Sequence, residues 1–231
     1  MRFKGAMVVA GLLAVSSVAV AQDESRVVAQ GGIKVAGWQG SVDPKEAANG
    51  QKIENAKLEK IGSDLRVTTG PAIAYWNASD KASGNYTIKA TFTEEKYMSL
   101  NNHPHPYGIF IGGANMGTDK ESYLYCMAYG NGTFIVRGFS ARAPFQVNGR
   151  RGEPNEAINK ASGVGASVTQ EIAVSVKGDK VECAVNGQVV GTYDKAAVLG
   201  EGKLSSTDGA YGIRFGHNTD AVVKGLTLTK H

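Results

Sequence analysis

The amino-acid sequence predicts an all-β fold, a sandwich or jelly roll of about a dozen short strands. Glycine supplies 30 of the 231 residues without a Gly-X-Y period, which excludes a collagen helix and is typical of a chain with many turns. Runs of Val, Ile, Thr and Tyr recur with turn residues between them, as expected for strands. Beyond the N-terminal segment, helical spacing of apolar residues never extends far enough to predict an independent helix.

The predicted strands follow one another along the chain, each justified by its pattern and by the turns beside it. The run 85–93 alternates most clearly, because an apolar residue occupies every second position. The turns GNG at 130–132 and KGD at 177–179 predict hairpins, and NG at 186–187 adds a third strand to the second one. The other expected strands are 33–42, 52–61, 64–69, 72–76, 107–111, 122–129, 133–139, 171–176, 180–185, 188–193, 209–216 and 221–229. Short helical turns are expected at 44–49, 155–161 and 195–199.

The N-terminus has the pattern of a secretory signal peptide. Arg2 and Lys4 precede an apolar stretch over 6–20, and Ala-Val-Ala at 19–21 is a small-x-small cleavage site. The stretch is shorter than the roughly 20 apolar residues that a transmembrane helix needs. The sequence therefore predicts a signal over 1–21 and a single β-sandwich domain over 22–231, with no membrane span. The predicted location is periplasmic or secreted.

Net charge argues against a nucleic-acid partner, and the two cysteines raise the question of a disulfide. The formal net charge is +4, and it falls further when Arg2 and Lys4 leave with the signal, which is too mild to favour nucleic acid. Cys126 and Cys183 are the two cysteines, and both lie in predicted strands. In an oxidising compartment they could form a disulfide, or they could be two buried free thiols. The sequence leaves both possibilities open.

Three segments carry a resemblance to a known family. They are GNYTI at 84–88 followed by YGIFI at 107–111, the hairpin VSVKGDKVECAVNG at 174–187, and DGAYGIRF at 208–215. The chain resembles the concanavalin A-like lectin/glucanase superfamily, and most of all the secreted bacterial domains of the 3-keto-disaccharide hydrolase-like group. The resemblance implies a concanavalin-like jelly-roll β-sandwich of two antiparallel sheets that binds or cleaves glycans, with the ligand on the concave sheet.

The laminarinase-type branch of that superfamily carries its catalytic carboxylates as Glu-x-Asp-x-Glu on one strand. Retaining hydrolysis needs two carboxyl groups facing one site, which strand spacing provides. This chain has no such triplet, since Glu94 and Glu95 are adjacent and Asp179 and Glu182 lie on opposite sides of a hairpin turn. A retaining glucanase is therefore not predicted.

The strand 122–129 presents two different faces. Tyr123, Tyr125 and Tyr129 share one face, and the residues between them are small and apolar, as a sandwich interior requires. We expect the tyrosines to line a concave, partly exposed face, where rings stack on sugars and hydroxyls bond to them. The alternative is that the tyrosines themselves are core. The further candidate ligand contacts are Trp76, Tyr107, Arg137 and Arg142.

The most unusual local sequence is HPHPY at 103–107. In an extended chain, His103 and His105 point to one side, as a metal site or a proton-transfer site would need. A third ligand must come from elsewhere, and His217 is the best candidate. The alternative is a loop held rigid by its prolines. Asn218 and Asp220 offer oxygens for calcium, an ion that the resembled sandwiches often carry.

These observations predict an exported, non-catalytic domain that binds a glycan or sugar-derived small molecule through the tyrosine face. An enzyme of the 3-keto-disaccharide hydrolase type that uses His103, His105 or His217 is the alternative. A protein partner is the third possibility.

Overall fold

Two β-sheets pack face to face in the computed structural model, which describes residues 24–149 and 152–231. The first sheet contains, in spatial order, β1 (Gly32–Ile33), β3 (Lys57–Ile61), β4 (Asp64–Thr68), β16 (Asp220–Lys230), β6 (Tyr86–Glu94), β12 (Val168–Lys177), β13 (Lys180–Val185) and β14 (Gln188–Asp194). The second contains β10 (Ala143–Gln146), β9 (Thr133–Ser140), β8 (Ser122–Tyr129), β7 (Tyr107–Ala114), β15 (Gly209–Phe215), β5 (Ile73–Ala82) and β2 (Trp38–Val42), with β11 (Glu153–Pro154) also paired to β9. All pairs are antiparallel except the two-residue contact of β1 with β3. The predicted jelly-roll β-sandwich is confirmed.

The predicted hairpins form where the turn residues place them. β8 and β9 flank the turn at 130–132, and β12 and β13 flank the turn at 177–179. Between β13 and β14, Asn186 and Gly187 have φ of 50° and 80°. Two successive residues in the left-handed region match the right-handed twist of the strands beside them. Local turn chemistry therefore sets the register of this meander.

Helical structure is confined to short segments among the described residues. α1 (Pro44–Ala48) and α2 (Lys195–Val198) occupy two of the predicted helical turns, and Ile53–Asn55 is a 3₁₀ turn where a strand was expected to begin. The helical turn predicted at 155–161 is wrong. Asn159 there exchanges hydrogen bonds with Gln170 of β12, whose amide accepts from its N–H (3.0 Å) and donates to its carbonyl (2.7 Å). The Ile158 N–H donates to the Asn155 carbonyl at 3.2 Å, so the segment contains a single turn at 155–158 and no helix.

The main core lies between the two sheets and takes one face of each strand. On β8 this face consists of Leu124, Cys126 and Ala128, as the alternation predicted. Cys126 is joined by a disulfide to Cys183 of β13, with Cα atoms 6.1 Å apart, within the usual range for a bridge. The bridge therefore ties one sheet to the other, and it resolves the alternative that the sequence left open.

The described residues begin at 24, after the predicted signal and its cleavage site. The expected signal at 1–21 lies outside them, so its cleavage and the start of the domain at residue 22 stay predictions. Among the described residues, the structure contains no helix that is long and apolar enough to cross a membrane.

Candidate functional site

The tyrosine face of β8 points away from the main core, as predicted, but it is covered where partial exposure was expected. Tyr123 and Tyr125 lie on the outer face of the second sheet, in a cluster separate from the main core. The expectation that this face is partly exposed is wrong for both rings, which are 1% and 6% exposed. Tyr123 packs against Phe110 and Phe139 at centroid distances of 5.0 and 5.4 Å. Neither tyrosine offers a ring face to a sugar.

Other residues cover the remainder of this outer face. Arg142 donates to Ser41 Oγ (3.1 Å) and to the Val42 carbonyl (2.9 Å), and it lies 3.7 Å from a Glu121 oxygen. Trp76 is buried, and its indole packs beside Gly117 in the loop after β7. Both side chains therefore stabilise the covered face, and neither has the open surface expected of a ligand contact.

Three further predicted contacts have different locations. Tyr107 is buried in the main core and stacks on Phe92 at 5.6 Å. The prediction that Tyr107 contacts a ligand is wrong, because the alternation of β7 directs this side chain between the sheets. Arg137 pairs with Tyr125 across β8 and β9, and Arg137 and Tyr129 are half-buried on the outer face. Neither residue is among those that line the pocket beside the histidines.

The three candidate histidines converge. Ring centroids are 4.3 Å apart for His103 and His105, and 4.0 Å apart for His105 and His217. Strand pairing explains why. Tyr107 and Phe215 are directly paired in β7 and β15, so the residues just before β7 and just after β15 meet at one end of the sheet.

Backbone contacts hold the two histidine segments against each other. The Gly216 N–H donates to the Pro106 carbonyl at 2.7 Å, and the Asn101 amide donates to the Asn218 carbonyl at 2.7 Å. A Cβ on Gly216 would come within 2.8 Å of Pro106 and 3.2 Å of the Cβ of His105. Glycine at 216 therefore allows the close approach that places His217 beside His105.

An open pocket of about 550 Å³ adjoins this cluster. Its lining residues are Glu24, Ser25, Lys45, Glu46, Asn49, Gln51, His103 and His217. Acceptors, donors and both charge signs are all present, so the pocket suits a ligand rich in hydroxyl groups. The N-terminal segment, α1 and the residues just after α1 supply six of these residues, and nothing in their local sequence indicated a site.

Ser25 organises one side of the pocket. Its hydroxyl donates to Glu46 Oε2 at 2.6 Å and also lies 3.2 Å from Nδ1 of His217. A hydroxyl has one hydrogen to donate, so the second contact requires that His217 Nδ1 carry the proton. The lone pair of the neutral His217 ring is therefore on Nε2.

The predicted calcium ligands are engaged with protein groups. Asn218 Oδ1 accepts from the Arg26 N–H (2.9 Å), and its amide donates to the Glu24 carbonyl (3.0 Å). Both oxygens of Asp220 accept from Arg66, at 3.0 and 3.2 Å. A guanidinium on both oxygens competes with a cation, so these contacts do not support the calcium prediction.

A buried carboxyl at the end of β6 leads to a test of stability against pH. Glu94 Oε1 accepts from the Met98 N–H at 3.2 Å, and Oε2 has no hydrogen-bond partner among the described residues. Burial raises the pKa of Glu94 from the usual 4.5 to about 7. The folded protein therefore holds the Glu94 proton more tightly than the unfolded chain does. The stability that this carboxyl contributes is fully present below about pH 4.5 and is lost as pH rises through about 7.

We expect Glu94→Gln to stabilise the protein by about 2–3 kcal/mol near pH 8 and to have little effect near pH 4. Glutamine keeps the shape and cannot ionise. Urea unfolding at both pH values measures the effect, and the exposed neighbour Glu95→Gln is the control, with an expected change below about 1 kcal/mol. Equal effects of Glu94→Gln at the two pH values would contradict this account.

Comparison with solved structures identifies the architecture. A carbohydrate-binding module, CBM66, from Bacillus subtilis aligns with a TM-score of 0.56 and 9% identity over 87% of this chain and 99% of its own. An endo-β-1,3-glucanase from Pyrococcus furiosus aligns with a TM-score of 0.53 and 11% identity over 84% of this chain and 88% of its own. A galectin-like protein of unknown function from Bacillus subtilis aligns with a TM-score of 0.51 and 10% identity, covering 84% and 89%.

The chain has the concanavalin A-like fold. No family model and no curated protein matches its sequence. At such low identities the likeness establishes the concanavalin A-like fold alone, and the function has to be argued from the site.

Proposed function

We propose that this protein is an exported domain that binds a carbohydrate in the pocket beside His103 and His217. The observation that carries the proposal is the pocket itself, because about 550 Å³ lies within the usual size range of small-molecule sites. Its lining is polar, and glycan hydroxyls both donate and accept hydrogen bonds. The proposal moves the expected site from the covered tyrosine face to the end of the sandwich.

Charged groups at the pocket give it the means to hold a sugar. Lys45 supplies an ammonium donor, and Glu24 and Glu46 supply carboxylate acceptors. Hydrogen bonds to charged groups are stronger than those between neutral groups. Among the described residues that line the pocket, the only aromatic rings are the imidazoles. We therefore expect recognition by hydrogen bonds more than by stacking.

Export to an oxidising compartment is the second part of the proposal. The disulfide between Cys126 and Cys183 supports it, because such bonds persist mainly outside the cytosol. The signal pattern at 1–21 and a single domain over 22–231 complete the proposed organisation.

The binding proposal is tested by titrating the purified protein with a panel of soluble oligosaccharides. We expect saturable binding that Lys45→Ala or Asn49→Ala weakens about tenfold or more, because each removes a polar contact. Both side chains are exposed, so the variants should fold. Lys60→Ala, an exposed lysine of β3 outside the pocket, is the matched control and should bind like the original protein.

Tyr125→Ala separates this proposal from the tyrosine-face hypothesis. Because Tyr125 is buried, we expect the variant to lose about 3 kcal/mol or more of stability while its folded fraction keeps its affinity. If the pocket variants bind as tightly as the original protein, the placement of the carbohydrate site in this pocket is contradicted. Absence of saturable binding across the panel would contradict the carbohydrate function and favour a protein partner.

A second candidate function is hydrolysis of keto-glycosides. The Ser25–Glu46–His217 contacts favour it, since they place an oriented imidazole and a carboxylate at one pocket. Incubation with 3-keto-glucosides, with product detection, is the test. We expect turnover to disappear in the His103→Ala/His105→Ala variant and to survive in His231→Ala, the one histidine outside the cluster. Glycan binding without turnover would exclude this candidate.

A further inference from the structure

We infer that His103, His105 and His217 form a binding site for Zn²⁺. One potential ligand nitrogen from each residue lies within 4.8 Å of the others, and they are the only such histidine, cysteine and carboxylate group found among the described residues. A tetrahedral zinc with bonds of about 2.1 Å spaces its ligands about 3.4 Å apart, a spacing that small ring rotations reach from these positions. The inference does not rest on carbohydrate binding.

The donor set matches the chemistry of zinc. Imidazole is a borderline-soft ligand that suits zinc and other divalent first-row metals, whereas calcium and magnesium prefer oxygen. Three histidines with a fourth position left for water or ligand is a recurrent arrangement of reactive zinc sites. The pocket reaches both His103 and His217, so a small molecule in it would lie beside the metal.

Neighbouring residues determine the tautomers of two of the three rings. The Asn102 side-chain oxygen lies 2.6 Å from Nδ1 of His103. An amide oxygen only accepts, so this Nδ1 carries the proton and the lone pair is on Nε2. Ser25, which donates its hydrogen to Glu46, requires the same tautomer of His217. Outer-shell contacts of this kind hold ring orientation and tautomer at zinc sites.

Two prolines and one close glycine contact restrict the backbone segments that carry the histidines. Pro104 and Pro106 restrict the backbone on both sides of His105, and Gly216 lies close to the Cβ of His105 and to Pro106. Three imidazolium ions at these centroid distances would repel one another. A bound cation shared by three neutral rings is the arrangement that uses all three lone pairs.

The test is metal binding by the purified chain, made without a histidine tag and stripped with a chelator. We expect one Zn²⁺ per chain by competition with a chromophoric chelator, and visible absorption bands of tetrahedral Co²⁺ when cobalt replaces zinc. His103→Ala and His217→Ala should each weaken zinc binding by at least about 100-fold, because a lost ligand costs more than a lost outer-shell partner. His103 is exposed, so its variant should fold.

His231→Ala is the matched control. That residue lies at the C-terminus, exposed, with its Nε2 2.9 Å from Thr87 Oγ1, and its loss should leave zinc affinity unchanged. Circular dichroism of each variant confirms folding. Absence of stoichiometric binding overturns the inference, as does unchanged affinity in either cluster variant. None of these readouts uses a sugar, so failure of the metal site and failure of the carbohydrate proposal are distinguishable.

Discussion

Replacing Arg214 with methionine is expected to lower the free energy of unfolding by about 3–5 kcal/mol. Arg214 donates to Asp43 Oδ2 at 2.6 Å and to the Phe215 carbonyl at 2.9 Å. The two side chains are only 4% and 16% exposed. Methionine fills much of the volume but leaves the Asp43 carboxylate without its counter-ion in a place that water barely reaches. An uncompensated buried charge is among the most destabilising single changes.

The surroundings of Arg214 favour its charged form, and Arg214 opposes the burial that raises the pKa of Asp43. Burial lowers the pKa of Arg214, but the charge of Asp43, the two nearby tyrosines and the hydrogen bond to Asp43 together outweigh burial and raise the pKa above its ordinary value. The guanidinium also lies over the rings of Tyr125 and Phe139, with centroids 5.1 and 5.9 Å away, where cation–π attraction adds to the pair. The covered tyrosine face is thus built around a buried cation.

Urea unfolding measures the effect of Arg214→Met, and two variants control for it. Lys180→Met breaks an exposed pair with Asp194, whose side chains are 44% and 63% exposed, so it should have little effect on the free energy of unfolding. Arg214→Met combined with Asp43→Asn should be more stable than Arg214→Met alone, because no buried charge remains. A loss below 1 kcal/mol in the single variant would show that the pair is unimportant.

Removing the disulfide is expected to cost about 4 kcal/mol. Cys126 and Cys183 are 57 residues apart in sequence, and closing a loop of that length restricts the unfolded chain by about this amount in the chain-entropy account. The bond also joins the two sheets, so its loss removes a direct link across the core. We expect the Cys126→Ala/Cys183→Ala variant to unfold at a lower urea concentration than the oxidised protein.

Reductant provides the internal control for the disulfide. Dithiothreitol should lower the urea midpoint of the oxidised protein toward that of the double variant. It should leave the urea midpoint of the double variant unchanged. Thiol titration of the denatured, unreduced protein should find no free thiol. Two free thiols, or unfolding curves that coincide for the two proteins, would refute the stabilising bridge.

The fold was accessible from the sequence because its signals are local. Alternation along 85–93 and 122–129 follows from the pleat of a strand, and the turn residues at 186–187 reflect the backbone that a tight hairpin requires. The helical turn expected at 155–161 failed because hydrogen bonds from Gln170, distant in sequence, override local preference. Local signals do not include such partners.

The candidate site divides in the same way. Spacing suggested that His103 and His105 share a side. The position of His217 at the end of a predicted strand made it the candidate third member. The six pocket residues from the N-terminal segment, α1 and the turn after α1 carry no motif, and only their packing reveals them. The tyrosines show the opposite case, in which the face was right and the exposure was wrong, because loops that cover a sheet leave no trace in the alternation of its strands.

By itself the sequence determined the two-sheet architecture, the hairpin turns and the two faces of the strands that alternate most clearly. These depend on a period of two residues and on backbone angles that few residue types adopt. Only the tertiary structure decided that the outer tyrosines are buried around Arg214, that the cysteines meet across the sheets, and that the histidines converge. Those outcomes depend on the pairing of β7 with β15 and on the packing of distant loops. Such long-range contacts arise from the whole chain, so no short segment encodes them.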